Sequence, residues 1–317
     1  ALADVAVNHP DAAGAQTLVS NAVTEAYAPG FTQGTWYDEL LVYENKVIVV
    51  GYSYEVDATE IGIFSLNDRA QFTHENTYFL ASNDYYSSRN YASRLVDGEL
   101  IFYMPYYLMG AWGGSQPVSL PSIRTLIHNG GITDWTQIIE KTKIYKPVQP
   151  TLFPTLHTIV RCDLKAAEFG CKASAFIGPY AHSFYVSANA VYLWVHSGYE
   201  SYYLSGAGVE STGALYRMDL ESDEPTAIKV SGAPIDQFSF QEDSDDETIN
   251  VVVRAAGGGD AMWSAEVQEG QLALFRASQS DLTRHPRRSS PEHYRALTTP
   301  TGYTLQNRFV GDYLTYG

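Results

Sequence analysis

The stretch 93–102, SRLVDGELIF, returns near the other end of the chain as 307–316, NRFVGDYLTY. Arg94 falls over Arg308. Behind each come an apolar residue, a valine, a Gly/Asp pair and a second apolar run. A two-residue turn of Asp and Gly between β-rich runs is the strongest short-range hairpin signal. One hairpin written twice, far apart, points to a repeat architecture.

The runs between the two copies carry the same signals. ELLVYENKVIVVGYSY turns at Glu44-Asn45, SFYVSANAVYLWVHS at Ala188-Asn189, and DQFSFQEDSDDETINVVVRAA around Asp245. Hairpin turns thus centre near residues 44, 97, 188, 245 and 311. Repeats of roughly 40–50 residues with about four short strands each are the mark of a β-propeller. A four-stranded blade cannot bury both faces alone, so blades stack about an axis. The expected fold is all-β: a propeller of four-stranded blades, with about five blade units visible over 31–317. The ring closes with the last strand against the first blade or with blades on further sequence. A β-sandwich would also give alternating strands, but explains the long-range repeat less well.

Two regions depart from this pattern. Residues 1–30 are Ala-rich with helical spacing and end in Ala-Pro-Gly, which predicts a short helical arm. The widest gap between turns holds an insertion at about 106–155, where GITDWTQIIEKTK (131–143) has helical periodicity.

Composition bounds the function. The chain has 317 residues, 20 Lys+Arg against 36 Asp+Glu, and a formal charge of −16. Nucleic-acid surfaces need a basic footprint, so nucleic acid is excluded as a partner. No apolar run reaches the roughly 18 residues of a membrane span. Cys162 and Cys171 lack the neighbouring Cys or His of a metal site. A C-x8-C pair with strand-like flanks reads as a local disulfide rather than two buried thiols, and a disulfide implies an oxidising compartment.

The segments SSRNYASRLVDGELIFY (87–103), FYVSANAVYLWV (184–195), PIDQFSFQEDSDDETINVVV (234–253) and NRFVGDYLTYG (307–317) resemble the secreted bacterial β-propeller domains distantly related to WD repeats. The similarity covers roughly residues 36–317 and departs from the family pattern at the insertion. It implies a propeller outside the cytoplasm, secreted, periplasmic or on the cell surface. It implies no catalytic residues.

Motifs add little. There is no G-x-S-x-G elbow for a hydrolase. None of the eight histidines has the H-x3-H spacing of a helical zinc site, although His182 and His196 flank one hairpin. Asp243, Asp245 and Glu247 copy three ligand positions of a calcium loop. Thr248 stands where that loop needs glycine and Arg254 where it needs glutamate, so this is not that loop: it reads as a solvated hairpin tip, with calcium at a looser site as the alternative, and no other cofactor is identified. Arg89, Arg94 and Arg308 precede or enter inner strands, where they would bind an anionic ligand or hold the blades by hydrogen bonds and ion pairs. The function expected is a binding or scaffold module with a protein partner or self-assembly. The alternatives are a hydrolase or lyase on polysaccharide or peptide, and a structural subunit of an extracellular assembly.

Overall fold

The computed structural model describes residues 35–68, 71–82, 93–108, 120–127, 131–198, 200, 211–222, 224–259, 267–302 and 304–317. The helical arm expected at 1–30, and Arg89, lie outside them. The chain divides into two compact units. One holds Ala1–Tyr106, Val118–Lys143 and Thr158–Ser174, the other Tyr107–Pro117, Ile144–His157 and Ala175–Gly317.

Strands β1 (Thr35–Tyr43), β2 (Lys46–Ser53), β3 (Ala58–Leu66) and β4 (Phe72–Ala81) form an antiparallel meander. β5 (Ser93–Val96) and β6 (Glu99–Tyr107) form the next hairpin. β7 (Ser122–Ile127) adds to β4, and the short β8 (Gly131–Ile132) and β9 (Thr136–Gln137) both pair with β7. β10 (Ile139–Tyr145), β11 (Thr155–Asp163) and β12 (Gly170–Gly178) complete a second sheet of order β10-β12-β11-β6-β5. β13 (Ala181–Val186), β14 (Ala190–His196), β15 (Thr212–Asp219) and β16 (Pro225–Ser231) form a four-stranded meander.

In the next sheet the first strand is split. β17 (Ala233–Pro234) and β18 (Phe240–Asp243) both pair with β19 (Thr248–Gly258), followed by β20 (Val267–Ser278) and β21 (Tyr294–Leu297). β22 (Asn307–Val310) and β23 (Tyr313–Tyr316) form the last hairpin. Each of the five turns read from the sequence joins two antiparallel strands. The repeated hairpins share their register: Arg94 lies opposite Ile101, and Arg308 opposite Thr315. Asp97 and Gly98 both have positive φ, 43° and 73°, as a two-residue turn matched to strand twist requires.

The segment 131–143 holds β8, β9 and the start of β10 and no helix. Ile132, Trp135 and Ile139 are spaced like one face of a helix. The stretch is nevertheless rich in β-branched Thr and Ile, which lose side-chain freedom in a helix and suit a pleated sheet. The Arg124 guanidinium lies 4.2 Å over the Trp135 ring. The Ile138 amide donates to the Pro121 carbonyl at 3.0 Å.

Burial explains why the sheets stack. Every residue of β14 is buried. Tyr192 and Trp194 on one face join Leu215, Ile228, Phe240, Ile249, Val251 and Phe275 in a core between successive sheets. Trp194 meets the Phe275 ring edge-on at 5.3 Å. Val191, Leu193 and Val195 on the other face are buried too. A strand apolar on both faces needs a sheet on each side, the physical requirement of stacked blades. Cys162 and Cys171 form a disulfide.

Candidate functional site

A groove of about 460 Å³ opens in the second unit, within the size range of ligand sites. One wall is the segment after Ile144. Tyr145 stacks on Phe176 with ring centroids 5.4 Å apart, and Phe176 packs on Tyr216 at 4.5 Å. The Val148 amide donates to Tyr216 Oη at 3.2 Å, and Gln149 Nε2 donates to the Gly213 carbonyl at 2.6 Å. Burial pushes the Tyr216 phenol up to about 12, so this anchor stays neutral.

The opposite wall is the stretch 283–289, bound along the edge of β16. The Ala227 amide donates to the Thr283 carbonyl, and the Thr283 amide returns a bond to Ala227. The Lys229 amide donates to Arg287, and the Ser289 amide donates to Lys229. Pro147, Pro225 and Pro286 contribute apolar rings, and Lys146, Lys229, Arg284 and His285 bring basic side chains. Among the described residues no Asp or Glu lines the groove, in a chain where acids outnumber bases 36 to 20. Arg284 forms an exposed ion pair with Glu224; Lys146 is exposed and Lys229 half-buried. Such a surface favours anions, through side chains rather than a free strand edge.

The second constellation is a sealed histidine cluster in the same unit. Ala181 pairs with His196 and His182 with Val195, which sets His182 and His196 at one end of the β13–β14 hairpin. His157 joins them from β11, its ring 5.3 Å from that of His182. The three are 0, 3 and 1% exposed for His157, His182 and His196. The His157 Nε2–H donates to the Pro179 carbonyl and the His182 Nδ1–H to Tyr180, both at 2.8 Å. Burial, then the charge His182 would carry, holds His157 far below the usual imidazole range. The same two causes bring His196 down to about 3, against a backbone hydrogen bond at Gly257. His157 and His196 are therefore neutral at pH 7. Among the described residues no three His, Cys, Asp or Glu side chains converge on a metal-sized site. The approach of His182 to His196 was legible in their hairpin; His157 gave no sequence signal.

Asp243, Asp245 and Glu247 lie at the β18–β19 turn. The Asp243 carboxylate accepts from the amides of Asp245 and Asp246, at 3.2 and 3.1 Å, and Asp246 pairs with Arg276 at 2.8 Å. These contacts shape a solvated turn. Arg94 Nη1 donates to the Ser93 carbonyl at 2.6 Å, and Arg308 Nη1 to the Asn307 carbonyl at 2.7 Å. Arg308 also lies 3.7 Å over the Phe238 ring. Neither arginine lines the groove.

No curated protein and no solved structure matches the chain. A family described as Beta propeller domain matches residues 6–283, from within the stretch read as an arm to the strap along β16. With the stacked antiparallel meanders, this match places the chain in the beta propeller domain family.

Proposed function

We propose that this propeller works outside the cytoplasm as a binding module, and that the basic groove of its second unit is where an anionic ligand sits. The observation that carries the proposal is the groove lining: among the described residues Lys146, Lys229, His285 and the Glu224-paired Arg284, and no carboxylate, on a strongly acidic chain. The Cys162–Cys171 disulfide suits an oxidising compartment. Among the described residues no helix is long and apolar enough to cross a membrane.

The lining favours binding over hydrolysis. Glycoside hydrolysis needs two facing carboxylates, and none of the described lining residues is one. The buried histidines lack the access to substrate that a general base needs.

Affinity electrophoresis through gels carrying an anionic or a neutral polymer tests the proposal. The anionic gel retards the protein, and Lys146→Glu with Lys229→Gln removes the retardation. Equal mobility in both gels contradicts it.

A protein partner is a second reading, favoured by Leu152 and Phe153. Both are exposed, and both donate backbone N–H bonds to the buried Glu200 carboxylate, at 3.2 and 3.3 Å. Thr151 donates its hydroxyl to the same group. A fixed apolar pair is a fitting anchor for a partner surface. Loss of a co-purifying partner in Leu152→Ser/Phe153→Ser tests it; an unchanged partner stoichiometry counts against it.

A further inference from the structure

We propose that the occupant of the groove is a segment of an acidic oligosaccharide, a run of carboxylate-bearing sugar rings. This rests on the reading of the groove as an anion-binding site and adds the ligand's chemical class.

The first argument is the closed strand edge. Extended peptides that bind along a sheet take much of their affinity from main-chain hydrogen bonds to an open edge. Here the backbone groups of Ala227 and Lys229 are already bonded to Thr283, Arg287 and Ser289. An acidic peptide laid there gains no ladder and must still be ordered, which costs conformational entropy. A sugar chain needs no ladder.

The second argument is the shape of the apolar walls. Tyr145 and the half-buried Pro147, Pro225 and Pro286 present rings rather than branched side chains. Such apolar ring faces suit the C–H face of a pyranose ring, whose hydroxyls and carboxylate then point outward. Lys146 and Lys229 supply N–H donors to carboxylate and hydroxyl oxygens alike, beside Arg284, whose guanidinium also pairs with Glu224.

The third argument is charge density. Duplex nucleic acid brings one charge per roughly 1.7 Å and would meet the field of a chain with a net charge of −16. An acidic oligosaccharide carries only one carboxylate per sugar ring. A short segment places its charge in the local basic groove and little of it against the acidic surface around it.

Isothermal titration of the full chain with tetragalacturonate, tetraglutamate and neutral galactotetraose decides the matter at matched ionic strength. Tetragalacturonate should bind at least tenfold more tightly than tetraglutamate, and galactotetraose should give no measurable binding. Lys146→Glu, at an exposed position, should weaken tetragalacturonate about tenfold. Tyr145→Leu should weaken it several-fold while leaving any residual tetraglutamate binding unchanged. Equal or tighter binding of tetraglutamate overturns the sugar assignment and leaves the anion site standing. Binding of galactotetraose as tight as that of tetragalacturonate overturns the role of charge. No binding of either anion overturns both the assignment and the anion site beneath it. If Tyr145→Leu does not fold, the peptide-to-sugar ratio of the unaltered protein and the response of Lys146→Glu decide alone.

Discussion

Asn307 donates from Nδ2 to Asp236 Oδ1 at 3.4 Å, and both side chains are buried. The relationship is repeated at the sister hairpin, where the Ser93 hydroxyl donates to the Glu39 carboxylate. In each case the residue before the arginine reaches a carboxylate from an earlier segment. The arginine itself bonds the carbonyl of that same residue. Asp236 also accepts from the Phe238 amide at 2.8 Å, capping the 3-10 turn Gln237–Ser239. Burial nonetheless holds its carboxyl above the usual range. Asn307→Leu should cost about 1–3 kcal/mol by removing a donor from a buried acceptor, read as a lower urea midpoint at unchanged slope.

Arg94 and Arg308 should behave as parts of this latch. Arg94→Ala/Arg308→Ala should lower the melting temperature, through lost hydrogen bonds and the lost contact of Arg308 with Phe238, worth about 1–3 kcal/mol together. Retardation in anionic gels should be unchanged. Lost retardation at an unchanged melting temperature would instead make them ligand residues.

The histidine cluster makes stability fall with acid. His196 has a folded value of about 3, below its unfolded value of about 6.5. Between these the unfolded chain binds a proton that the folded chain refuses. The stability is fully present above about pH 6.5 and is lost as pH falls, by about 2 kcal/mol at pH 5 from this residue. His157 acts in the same direction. Melting curves from pH 7.5 to 4.5 should show this loss, and His196→Gln should flatten the acid limb while lowering the plateau.

Arg161 Nε donates to Glu99 Oε2 at 2.7 Å, with Arg161 almost wholly buried. Arg161→Met leaves Glu99 without that partner. Glu99→Gln takes the negative charge away from beside a buried cation and should cost more. Denaturant midpoints of the two variants check the order.

The hairpins were legible in the sequence because each is local. Asp97-Gly98 and Gly311-Asp312 join runs only a few residues long, and the positive φ at Asp97, Gly98 and Gly311 restricts the residues that suit those positions. The segment 131–143 departs from its sequence pattern because Ile132, Trp135 and Ile139 copy helical spacing, while its structure rests on pairing with β7 and β12. The groove was not legible at all. Tyr145, Tyr216 and Arg284 come from three distant segments, and their juxtaposition depends on the Val148–Tyr216 bond and the strap along β16. His157 reaches His182 in the same way, through packing rather than motif.

Lysine footprinting by acetylation and mass spectrometry, with and without tetragalacturonate, tests the central claim most directly. The account predicts that Lys146 and Lys229 are protected by ligand while Lys165, in the other unit, is modified equally in both samples. Modification of Lys146 and Lys229 at unchanged rates, with ligand bound, would contradict the groove as the binding site.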